Sequence, residues 1–194
     1  PASDVLLSGM NIDQDIVVRV VSAKDLIQDT IIKTNMSQEA AKAFAELTLG
    51  SLMMGVAGLK DEETLQLSIV GNKGLKSVTC ITDSECKIRG TVGNPNYTSG
   101  LDNPKINDLF GDIGQIQIVR SHPSFKQPMT GIVPLITDAD VDIDGSSISL
   151  NLSMYMTQSE QRNAFILTDF GITTSSKSHS NSNSNRKSNN DPET

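Results

Sequence analysis

The stretch SQEAAKAFAELTLGSLMMGVAG, residues 37–58, constrains the fold more than any other part of the chain. Ser37 is a good helix N-cap, Glu39 falls in the first turn where the helix dipole favours an acid, and small and apolar residues follow to about Ala57. Lys42 and Glu46 interrupt the run, so it reads as a buried helix and not a membrane span. Gly50 and Gly55 cost helix propensity. They make sense where another backbone comes close. The remaining chain has to supply the surroundings for this helix.

Most of the other segments read as strands. DIVVRVVSA (15–23) mixes β-branched residues with one arginine, and TLQLSIVG (64–71) turns Leu65, Leu67 and Ile69 to one side. LKSVTCITD (75–83) and ECKIRGTVG (85–93) form a hairpin joined by a tight Asp-Ser turn. IGQIQIVRS (113–121), PMTGIVPLIT (128–137) and NAFILT (163–168) complete the set. KDLIQDTIIKTN (24–35) reads as a helix, with Leu26, Ile27, Thr30 and Ile31 on one face. Residues 94–112 form a long loop with a short helical turn at INDLF. SISLNLSMYM (147–156) divides the criteria: its alternation favours a strand, while Ile148, Leu152 and Tyr155 would share one helical face.

Size allows one core, placed at residues 1–170. From Gly171 the chain turns Ser/Asn-rich with one apolar residue, Ile172, so 171–194 is expected to be a disordered tail or a truncated insertion. Pro1 in place of a starting methionine implies trimming, and no signal segment remains to be read. Net charge is −7 and the pI about 4.7, without a basic stripe, which argues against a nucleic-acid partner. Two cysteines suit a reducing compartment better than a disulfide-built secreted fold. The expected location is the cytoplasm or the lumen of an organelle such as a plastid or mitochondrion, away from membranes.

Motifs for chemistry are mostly missing. DADVDIDGSS (138–147) begins like an EF-hand loop, with Asp140, Asp142 and Asp144 at positions 1, 3 and 5 and Gly145 at position 6. Position 12, where a bidentate glutamate closes the shell, is Asn151, and a strand precedes the loop instead of a helix. The alternative reading is a calcium-stabilised structural domain, or a small metal-dependent enzyme, built on those three aspartates. GNKGLKS (71–77) has two residues between its glycines where a phosphate loop needs four, so it reads as a turn. His122, in SHPSF, reads as a surface-loop residue. No hydrolase, zinc-protease or dinucleotide motif occurs, and the chain is read as a non-enzyme without cofactor. A three-residue loop centred on Asp83 would set Cys80 opposite Cys86. Loops of two or four residues would send them to different faces, and inert thiols are the simpler reading.

A run of segments nevertheless resembles one family. LMMGVAGLK (Leu52 to Lys60), GNKG (Gly71 to Gly74) and RGTVGNP match that family's LMMGAMLKG, its GGGPLG-like turn and its RGYVGNP. The last match places Arg89, Gly90, Gly93, Asn94 and Pro95. TGIVPL, with Gly131, matches YTGIVPL, and YMTQSEQ, with Tyr155, Ser159, Glu160 and Gln161, matches YFxxSEQ. Over about residues 4–170 the chain resembles the heat-shock protein 33 family of redox-regulated holdase chaperones.

The resemblance implies an α+β fold, mostly antiparallel sheets packed with helices, of the family's N-terminal core type. It implies a helix over about 147–159, against the local alternation. The acidic decad then becomes the loop leading into that helix, with a capping role and no ion. It also implies ATP-independent binding of unfolded or misfolded clients by a homodimer, at client-contact residues that stay unknown. In the family a C-terminal domain with CxC and CxxC holds zinc while reduced, and its oxidation unfolds the adjoining linker. These 194 residues contain neither motif, so the zinc centre is expected to be absent here and the chain to be a fragment or a shortened relative.

Overall fold

A computed structural model describes residues 4–137 and 147–171. The acidic loop with Asp140, Asp142 and Asp144 therefore lies outside the described residues, as does the tail beyond Gly171.

Helix α2 (Gln38–Gly58) is the axis of the fold. Ser37 caps it through its Oγ, which accepts from Ala40 N. Ala40, Ala43, Phe44, Leu47 and Met54 then enter the main core. Ala45 and Leu52, on another side, join Ala23 and Ile27 in a second, smaller cluster. A helix buried on several sides cannot be amphipathic, which accounts for its composition. Helix α1 (Lys24–Thr34) supplies Ile27 to that second cluster.

The main sheet is antiparallel. Its strands are β3 (Thr64–Gly71), β4 (Ser77–Asp83), β5 (Ile88–Val92), β6 (Gly114–Ser121) and β7 (Met129–Pro134). Their order is β5-β4-β3-β6-β7. Alternation sends Leu65, Leu67, Ile69, Val78, Cys80, Ile116 and Ile118 into the core. The register lines up one cross-sheet row: Gly90, Cys80, Leu67, Ile118 and Gly131. Glycine stands at both ends of that row because an aromatic ring from a helix lies there. A Cβ on Gly90 would come 2.6 Å from the Phe44 ring and 2.7 Å from Thr79 O, and one on Gly131 would come 2.6 Å from the Tyr155 hydroxyl.

Helix α4 (Ile148–Gln158) packs beside α2, and Leu152 rests on Gly50. Local alternation favoured a strand here, but Ser149, Asn151 and Ser153 are buried along with Ile148, Leu152, Tyr155 and Met156. The buried polar residues are in use. Asn151 Oδ1 accepts from Ile136 N at 2.7 Å, and its Nδ2 donates to Ile136 O at 3.0 Å and Ser147 O at 3.1 Å. Ser153 Oγ accepts from Ile166 N at 2.8 Å.

Other expectations are corrected. Residues 163–168 form no strand, because the backbone N–H of Ile166 is bound by Ser153 of α4 instead of a ladder partner. A strand the sequence reading passed over, β1 (Val5–Met10), pairs antiparallel with β2 (Val17–Ser22) as a separate ribbon. Gly50 and Gly55 are met by the side chains of Leu152 and Thr82, not by another backbone. The short helix at INDLF is present as α3 (Ile106–Phe110).

Candidate functional site

The motif residues gather at the two ends of α2, which by its 1.5 Å rise per residue stand about 30 Å apart. At the N-terminal end Pro95 O accepts from Ser37 N, and the Ser37 hydroxyl donates to Tyr97 O at 2.5 Å. Gly74 lies under the Tyr97 ring and Gly71 against the Phe110 carbonyl. Asn94 Nδ2 donates to Gly74 O, and Gly93 N donates to Ser77 O. The GNKG segment is thus the β3–β4 turn, closed by Gly71 N donating to Lys76 O.

At the C-terminal end Ser159 caps α4, and the Tyr155 hydroxyl donates to Glu160 Oε1 at 3.2 Å. Burial, then the nearby Glu160 carboxylate, pushes the Tyr155 phenol up to about 12. Gln161 takes the left-handed backbone (φ 52°) that turns the chain out of the helix. Arg89 belongs to neither group and lies exposed on β5. Apart from Arg89, these positions serve contacts around α2 and α4 and form no single pocket.

The thiols do not face each other. Asp83 N donates to Lys87 O, so the hairpin loop is Ser84, Glu85 and Cys86, centred on Glu85 and not on Asp83. Cys80 therefore pairs with Gly90, and Cys86 sits in the turn at φ 63°. Burial pushes the Cys80 thiol up to about 11, and its sulfur lies 3.5 Å from Thr48 Oγ1. Among the described residues no three His, Cys, Asp or Glu side chains converge as a metal site. His122 lies in a turn, with Nδ1 accepting from Ser124 N and the ring 5.3 Å from that of Phe125.

Two features of the surface stand out. The first is the β1–β2 ribbon. One face carries Val5, Leu7, Val18 and Val20, all exposed, with Leu7, Val18 and Val20 at 62%, 58% and 56%. Ile12 and Ile16 in the connecting turn are exposed as well. The opposite face turns Leu6, Arg19 and Val21 inward, and Val21 packs on the small cluster around Ile27. Contiguous exposed apolar surface of this kind marks interaction sites. An apolar run, VLLSGM, followed by a polar turn and VVRVV was the signal that could have revealed the ribbon.

The second is a groove of about 780 Å³ between the N-terminal half of α2 and the loop 98–105. Glu39 holds that loop in place: its carboxylate accepts from Ser99 N, Ser99 Oγ and Thr98 Oγ1. Glu46 also lines the groove and is only 8% exposed. Burial is the main cause of its carboxyl rising to about 7, with Lys42 lowering it and Asp169 raising it further. Sequence reading had used Glu46 only as a mark against a membrane span. Among the described residues no helix is long and apolar enough to cross one.

With this geometry in hand, the architecture can be placed. It is an α+β fold of antiparallel sheets packed by helices, and it is similar to the crystal structure of the 33 kDa chaperonin of Thermotoga maritima. The TM-score is 0.70 at 23% identity, covering 80% of this chain and 51% of that one. The model of the family described as Hsp33 protein matches residues 4–182, and the chain belongs to that family. Relatives include the 33 kDa chaperonins of Lactobacillus helveticus, 26% identical over 139 residues, and Clostridium novyi, 25% identical over 138. Each match takes in 70% of this chain and 46% or 47% of the relative. The chain spans about half the length of the curated relatives it matches.

Proposed function

We propose that these residues form the polypeptide-binding core of an ATP-independent chaperone, a holdase that captures unfolding proteins and keeps them from aggregating. The outward face of the β1–β2 ribbon carries this reading. Val5, Leu7, Val18 and Val20 offer branched aliphatic surface that any exposed apolar segment can cover, which suits a binder of many clients. Membership of a family whose relatives are named chaperonins supports it.

We propose further that holding needs no thiol chemistry within these residues, no metal and no catalytic step, and that the working form is a homodimer in the cytoplasm or an organelle lumen. The buried Cys80 and the turn residue Cys86 support the first point, being set apart in the fold.

The test is light scattering of a heat-unfolding client with this chain at near-equal molar amount, first reduced and then oxidised. Suppression in both states is expected, and loss of most of it in a Leu7→Ser, Val18→Ser, Val20→Ser variant. Full suppression by that variant would remove the ribbon from the reading. No suppression by the parent chain would remove the holdase itself.

A further inference from the structure

The Glu46 carboxyl has no hydrogen-bond donor from the described residues, although it is more than nine-tenths buried and lines the groove. Its oxygens are not sealed off, since the fully buried unpartnered side-chain atoms among the described residues are Arg19 Nε, Asn107 Oδ1 and Thr168 Oγ1, so donors of a ligand in the cavity of about 780 Å³ can reach them. The charged groups around it are Lys42 and Glu39 on its own helix, Asp102 and Lys105 on the loop wall, and Asp169 in the segment after α4. Glu39 is already bound by Thr98 and Ser99. A divalent metal does not fit, since no three acidic or His/Cys side chains converge among the described residues. Phe170, Leu109 and Ile106 give the groove an aromatic and aliphatic wall. A carboxylate beside such a wall matches a planar guanidinium on an apolar stem, which pairs with carboxylate in fork geometry and stacks on rings.

We propose that this groove is a recognition site for an arginine side chain carried by a polypeptide, with the guanidinium seated on Glu46. The site is separate from the apolar ribbon and does not depend on the holdase reading. Because Glu46 holds its proton up to about pH 7, an arginine has to displace that proton to pair with it. Binding should therefore tighten by about tenfold from pH 6 to pH 8, as the ionised fraction rises.

The probe is Nα-acetyl-arginine amide, titrated into the full chain and followed by amide chemical shifts at residues 38–46 and 98–106. Its neutral isostere, Nα-acetyl-citrulline amide, is the control. Saturable shifts there with the arginine probe, tighter at pH 8, and at least tenfold weaker binding of the citrulline probe are expected. Glu46→Gln, which copies the protonated carboxyl in shape, should bind the arginine probe at least tenfold more weakly at pH 8, with an unchanged far-UV spectrum showing that it folds. Equal binding of the two probes, equal binding by Glu46→Gln, or no shifts at those residues would overturn the site. The ribbon variant should bind the arginine probe as the parent does, which keeps failure here distinct from failure of the holdase reading.

Discussion

Glu46 shows how one residue can set the pH response of the molecule. Its folded-state carboxyl keeps a proton to about pH 7, while the unfolded chain releases it near 4.5. Between those values the folded state binds more protons, so stability falls as pH rises through that window. Glu46→Gln removes the ionisation. It should raise stability at pH 8 by about 2 kcal/mol, roughly 5 °C in melting temperature for a chain of this size, and change little at pH 4. Thermal melts of both proteins at the two pH values check this; a parallel pH dependence in the variant would count against it. At Cys80 burial has the opposite outcome, pushing the thiol up to about 11 and so away from ionisation near neutral pH. The sequence placed both cysteines in the hairpin, but their facing depended on the loop. The Asp83–Lys87 hydrogen bond and the positive φ of Cys86 show that Cys86 belongs to the turn.

Among the elements, α2 was legible from its N-cap and its small, apolar composition, and the core strands were legible because burial and periodicity agree in them. TLQLSIVG appears as β3 with the bounds expected, since Leu65, Leu67 and Ile69 alternate onto one packed face. α4 was legible only through the family resemblance. Its polar residues are buried as backbone partners, so its burial follows neither helical nor strand periodicity. NAFILT failed for a related reason: its alternation is real, but Ser153 stands where a neighbouring strand would. Asn151→Leu tests this account, because leucine keeps the volume yet leaves the Ile136 N–H and C=O without their partner. It should cost about 2–4 kcal/mol in chemical denaturation. Wild-type stability in that variant would show that Asn151 acts by packing alone. Gly90→Ala should cost about 1–3 kcal/mol, since Thr79 O and the Phe44 ring occupy the space of a Cβ.

For the whole molecule, the five-stranded sheet, α2 and α4 form one packed body, while the ribbon joins it through one face only. A two-stranded ribbon is marginal by itself, so its amides should exchange with solvent well before those of β3 and β6. Hydrogen exchange by mass spectrometry reads this directly, and equal protection would mean that the exposed face of the ribbon is covered in solution. The motif residues, which sequence comparison makes prominent, maintain the body, whereas the two surfaces argued to bind lie in stretches without a motif. A sequence shows apolar residues, but which of them remain outside is decided by what the rest of the fold leaves uncovered. The side-chain hydrogen bonds of α4 have one more consequence. Asn151 fastens the chain before the helix and Ser153 the chain after it, so α4 works as a clasp on two straps. Because both straps end on the same turn of one helix, fraying of α4 should free them together, and the amides of Ile136 and Ile166 should then exchange at matching rates.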